Sequence, residues 1–160
     1  MTMNPVMVAR GEGEHFNFLN TLHTAKITGE QTNGAMTAVE FHAPRNFGPP
    51  LHRHDGEDEL FYIIDGELWL SCGDAEAVHG GGAVVWLPRG LPHTFQVRSQ
   101  TARVLVVSAP SGYDQFVATL GEPMDEPVMP EPKEIDPAHV AEVCAQFNIQ
   151  VLGPPPAPLA

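Results

Sequence analysis

The chain has 160 residues, enough for one domain that buries its own core without disulfide staples. Charged residues make up 18% and apolar ones 42%, and 15 Gly with 16 Pro exclude a long helical bundle in favour of short strands and tight turns. With 8 basic against 20 acidic residues the net charge is −12, a field that repels phosphate backbones and anionic lipid, so neither nucleic acid nor a membrane surface is an expected partner.

The segment Met1–Arg10 has no basic stretch and is interrupted by Pro5, so no export signal is read there, and no apolar run matches a membrane span. Two cysteines, Cys72 and Cys144, are too few for a disulfide framework, and reduced thiols in a cytoplasmic protein are expected. Residues 1–121 read as an all-β barrel with an N-terminal strand. Period-2 alternation marks Thr21–Ile27, Met36–Phe41, Leu60–Ile64, Glu67–Ser71, Ala83–Leu87, Thr94–Val97 and Ala102–Ser108. Asp65-Gly66 predicts a two-residue hairpin that pairs Phe61 with Leu70, Tyr62 with Trp69, and Ile63 with Leu68. In that register Phe61, Ile63, Leu68 and Leu70 share one face, and Tyr62 and Trp69 the other. A short helix is expected over Tyr113–Leu120.

Residues 122–160 read as an arm and a helix lying on the same domain. Pro123, Pro127, Pro130 and Pro132 are too close together for a helix or a central strand. Asp136-Pro137 is an N-cap followed by proline at the first helical position, and Val140, Val143, Cys144 and Phe147 then form one apolar stripe. The tail from Gly153 reads as extended polyproline, with disorder as the alternative for its last few residues.

Eight histidines are unevenly informative. His15, His23, His42, His79 and His139 stand alone and read as surface or hydrogen-bonded residues. His52 and His54, two apart on a strand, project from one face. Asp55-Gly56 offers a turn that brings the Glu59 carboxylate opposite them, while Pro88, Gly90 and Pro92 aim His93 at a strand start. Three imidazoles and a carboxylate suit one divalent transition metal (Fe, Mn, Co, Ni, Cu or Zn) rather than Mg or Ca, and four protein ligands leave open positions. Asp55, Glu57 and Asp58 read as a solvated loop. Parity nominates Phe61, Ile63, Leu70 and Phe95 as the substrate-binding lining beside the metal, with His42 and His79 as further polar groups.

The spacing resembles the two motifs of the cupin superfamily. Glu59 follows four residues after His54 and Gly66 six after Glu59; Gly82 leads by five residues to Pro88, then Gly90 and His93. The chain departs from the pattern at Asn46, where a glycine is expected with Gly48 nearby, and at Val97, where an asparagine is expected. A narrower resemblance, carried by Gly48-Pro-Pro-Leu-His52, Glu59 to Gly66, His93-Thr-Phe95 and Ala109-Pro-Ser-Gly-Tyr113, is to single-domain quercetinase-like cupins. It implies a jelly-roll barrel and a metal-dependent dioxygenase acting on a small apolar or aromatic, flavonol-like phenolic or enolic substrate. In that family the flavonol binds the metal through its 3-oxygen, the metal-bound glutamate takes the proton, and dioxygen opens the central ring with loss of carbon monoxide; that glutamate would be Glu59. A zinc-type cyclase or isomerase and a non-catalytic small-molecule binder are the rival readings. Apolar exposed strands point to a homodimer, with the N-terminal strand exchanged as one arrangement.

Overall fold

Alternation of apolar and polar residues sorts the chain into two facing antiparallel sheets. The computed structural model describes residues 3–160. In chain order the elements are β1 (Glu14–Phe18), β2 (Thr21–Ile27), β3 (Thr37–Pro44), β4 (His52–His54), β5 (Asp58–Asp65), β6 (Glu67–Cys72) and β7 (Ala75–Gly80). Then come β8 (Val84–Leu87), β9 (His93–Val97), β10 (Thr101–Ala109), α1 (Tyr113–Leu120), β11 (Glu122–Met124), α2 (Pro137–Gln146) and β12 (Ile149–Val151). One sheet runs β11-β1-β2-β3-β10-β5-β8 and the other β12-β4-β9-β6-β7. This is an all-β jelly roll of the cupin kind with two short peripheral helices. Strand β10 shows the logic: Ala102, Val104, Val106 and Ser108 are buried while Arg103, Leu105 and Val107 between them are half-buried.

The expected hairpin at Asp65-Gly66 does not form. β5 pairs with β10 and β8, whereas β6 pairs with β7 and β9, so Gly66 carries the chain from one sheet to the other. Phe61 lies opposite Val106 and Val85, and Leu70 opposite Phe95 and Ala77. The facing was right nonetheless: Phe61, Ile63, Leu68 and Leu70 all point into the core, while Tyr62 is exposed and Trp69 half-buried. Parity is the same for a hairpin partner and for a residue across the sandwich, so it cannot tell them apart. Gly66 is required twice over, by its φ of +90° and because a Cβ would sit 2.5 Å from the Thr101 carbonyl oxygen. Two-residue turns occur instead at Gly73-Asp74, between β6 and β7, and at Leu19-Asn20, between β1 and β2.

The proline-rich arm contributes an edge strand, β11, with Pro123 opposite Phe16 of β1. Asp136 caps α2, its carboxylate accepting from the Ala138 N–H at 2.9 Å, and Val140, Val143 and Cys144 are buried along the expected stripe. Phe147 ends that helix and packs on Phe116 at 5.6 Å between centroids. The tail is tied down: Gln96 donates to the Ala157 carbonyl at 2.7 Å and the Leu159 N–H to the Asn46 side chain at 2.9 Å. Cys72 and Cys144 are free thiols. Among the described residues no helix is long and apolar enough to cross a membrane.

Candidate metal centre and aromatic cavity

Three strands converge on one end of the barrel. β4 presents His52 and His54, β5 begins next to Glu59, and β9 opens at His93, whose Cα lies opposite that of His52. The loop ahead of β4 explains the motif departure. Asn46 takes the left-handed conformation (φ +72°) that glycine usually fills, which asparagine tolerates. Gly48 then passes so close to β9 that a Cβ would meet the Phe95 carbonyl oxygen at 2.2 Å. Val97 is fully buried, and its N–H donates to the Phe47 carbonyl, so the loop is held without an asparagine there.

One ligand atom from each of His52, His54, Glu59 and His93 lies within 4.8 Å of the others, so the four expected donors come together. Each imidazole has its Nδ1 committed. Nδ1–H donates to the Pro50 carbonyl from His52 at 2.7 Å, to Glu57 Oε1 from His54 at 2.7 Å, and to the Leu91 carbonyl from His93 at 3.1 Å. The tautomer follows from those acceptors, and every Nε2 is left with a lone pair. Yet Nε2 of His93 is 3.1 Å and Nε2 of His54 is 3.4 Å from the same Oε2 of Glu59. Lone-pair atoms at these separations repel unless positive charge lies between them. A transition-metal cation satisfies all four donors at once, and the residues fit that group.

Burial opposes the ionised carboxylate of Glu59, but the adjoining His54, His93 and His52 outweigh it and hold its pKa at about 2. Burial pulls His54 down, and the Glu59 and Glu57 carboxylates more than offset it, for a net rise. Burial, reinforced by His93 and His54, takes His52 to about 3. Glu57 is therefore not part of a solvated loop: it is 8% exposed and orients His54. Asp58 is bound instead by the Arg89 guanidinium at 2.9 Å, and Asp55 by Arg53 at 2.7 Å.

The cluster forms part of the wall of a largely apolar cavity closed on its other sides by Phe41, Phe61, Phe95 and Phe116. Of the expected lining residues Phe61 and Phe95 are there, but Ile63 and Leu70 are not. Both face inward, but each lies further along its strand from the donors, where the space is filled core. Sequence reasoning missed Phe41, which stacks on Phe95 at 5.4 Å and on His23 at 5.5 Å, and also Phe47, Tyr113 and Phe116. Two further polar groups were misplaced. His42 points to the outer face of β3 beside Arg103, and His79 is exposed on β7. His23 is a further buried histidine of the cavity wall, outside the cluster, and the inward parity of Thr21, His23 and Ala25 was the available signal.

A family model described as a cupin domain matches residues 39–108, in keeping with the jelly roll and its motifs. In sequence the chain is similar to quercetin 2,3-dioxygenases. It is 22% identical over 151 residues, 94% of its length, to quercetin 2,3-dioxygenase of Bacillus subtilis, covering 45% of that enzyme. The chain spans less than half the length of the quercetin 2,3-dioxygenases it matches. Among solved structures, the polyketide cyclase RemF from Streptomyces resistomycificus superposes with a TM-score of 0.51 at 26% identity, over 69% of this chain and 78% of that one. An RmlC-like cupin from Shewanella frigidimarina shares the fold with a TM-score of 0.58 at 13% identity, over 71% of this chain and 99% of that one.

Proposed function

We propose that this cupin is a metal-dependent oxygenase that cleaves a small, flat, weakly charged phenolic or enolic substrate with dioxygen. The observation that carries the reading is the set of three imidazoles, each locked through Nδ1, whose Nε2 atoms converge with Glu59 on the wall of an aromatic cavity. His52, His54, Glu59 and His93 would hold a divalent transition metal, which would supply Lewis acidity and, if redox-active, electron exchange with dioxygen. Glu59 then takes the substrate's hydroxyl proton, its carboxylate being ionised at neutral pH. Phe41, Phe61 and Phe95 exclude water and hold a planar ring. The likeness to quercetin 2,3-dioxygenases supports a flavonol-like substrate.

The likeness to a polyketide cyclase favours one rival, a redox-neutral cyclisation on the same four ligands. Metal analysis of untagged protein, followed by oxygen uptake on a panel of flavonols and naphthols, separates them. Oxygen consumption matched to substrate loss supports the oxygenase; anaerobic turnover of the same substrate replaces it with the cyclase. We also propose that the chain works as a homodimer, because Tyr62, Val84 and Trp86 lie exposed together on the outer face of β5 and β8.

A further inference from the structure

Beside the His/Glu cluster runs a buried polar chain that metal binding does not use. The Thr21 hydroxyl donates to the Phe18 carbonyl at 2.5 Å, so its lone pairs face His23 Nδ1 at 2.9 Å and that nitrogen carries the proton. His23 Nε2 is then an acceptor, and the Tyr113 hydroxyl donates to it across 3.4 Å. Tautomer and hydroxyl direction are thus set in sequence by a backbone carbonyl. Packing locks the rings: Phe18 lies 4.4 Å and Phe41 5.5 Å from His23 between centroids. Burial takes His23 to about 3 and, with Glu59 and Glu57 nearby, pushes the Tyr113 phenol well up, so both are neutral at physiological pH. The phenolic oxygen keeps lone pairs that no other described residue engages, and Tyr113 is one of the residues lining the aromatic cavity. Its ring centroid is 6.5 Å from that of His54. The phenolic proton is committed to His23, so a ligand group that reaches this oxygen must bring a donor of its own.

We propose that Tyr113, oriented by His23, is the polar anchor of this cavity, accepting a hydrogen bond from a hydroxyl on an aromatic ligand whose other polar edge faces the His/Glu cluster. The inference rests on the phenolic reading above and narrows it to polyhydroxylated aromatics, with one chelating edge and a separate hydroxyl donor. Tyr113 is a positioning residue: it sets which ring edge meets Glu59.

The test measures equilibrium binding of two probes to the purified full chain under argon, where dioxygen cannot be consumed. The probes are 3-hydroxyflavone, which has only the chelating edge, and quercetin, which adds further hydroxyls. Tyr113→Phe removes one oxygen and should weaken quercetin about tenfold while leaving 3-hydroxyflavone within about twofold. An equal loss for both probes makes Tyr113 merely structural and overturns the proposal, with the phenolic reading intact. Wild-type protein gives an arm that needs no variant: quercetin should bind several-fold more tightly than 3-hydroxyflavone, and equal affinities overturn the anchor. If neither flavonol binds wild-type protein, the flavonol reading falls and the anchor with it.

Discussion

Replacing Glu57 by Gln tests the logic of the metal centre without touching a ligand. The amide oxygen can still accept from His54 Nδ1, so the 2.7 Å contact survives in outline, but the negative charge that makes the imidazole a stronger donor is gone. Glu57 is only 8% exposed, so solvent screens little of that charge. A charge-assisted hydrogen bond contributes about 1.5–3 kcal/mol against about 1 for a neutral one, so most of the loss should appear in the metal-bound state. Removing an outer partner of a ligating histidine typically costs about 10–100-fold in metal affinity, or roughly 1.4–2.7 kcal/mol. A zinc titration against a chromophoric chelator reads this directly. Thermal unfolding in saturating zinc should fall by roughly 3–10 °C relative to wild type, since bound metal stabilises only the folded chain. Asp74→Asn, an exposed site in the β6–β7 turn, is the charge-matched control. Wild-type zinc affinity in Glu57→Gln, or an equal drop in the control, would refute the assignment of Nδ1 partners as the organising feature of the site.

Glu59→Gln should retain part of the metal while turnover in air falls by about 100-fold or more, measured as oxygen uptake; full activity removes Glu59 as the base. His23 is neutral in the fold, with a pKa of about 3 against an ordinary 6.5, so the unfolded chain binds its proton first. Its contribution is intact above about pH 6.5 and is lost as pH falls towards 3, costing roughly 2 kcal/mol at pH 5; urea melts of His23→Phe and wild type should diverge from neutral to acid pH by that amount. Gly66→Ala forces a side chain into positive φ and against the Thr101 carbonyl, and should destabilise by about 2 kcal/mol or more in denaturant unfolding. Trp86→Asp should convert the expected dimer to monomer by light scattering coupled to gel filtration; an unchanged mass places the interface elsewhere.

What could be read from sequence was which way side chains face and which donors meet. Strand periodicity is a local property, so the inward sets of β5, β6 and β10 and the converging His52, His54, Glu59 and His93 were all legible. Sheet membership was not, because the choice between a hairpin and a crossing at Gly66 depends on β5 pairing with β10 and β6 with β9, both far along the chain. β7 escaped notice for a different reason: all its residues are exposed, so no alternation marks it. Glu57 looked like loop charge because its burial comes from folding back on His54. The cavity wall draws on α1, α2 and β12, whose placement against the barrel has no short-range signal.

The strand that bears two of the four donors is finished by residues far downstream. β4 has three residues, and one flank is closed by β12, with Ile149 opposite His54 and Val151 opposite His52. The Asn148 carbonyl and the Gln150 side chain also fasten Asp55, at 3.0 and 2.9 Å. A nascent chain emerging N-terminus first therefore has His52 and His54 long before it has the segment that holds them in place. The metal-bearing strand is complete only after synthesis has passed residue 151, and a change in Ile149–Val151 acts on it directly.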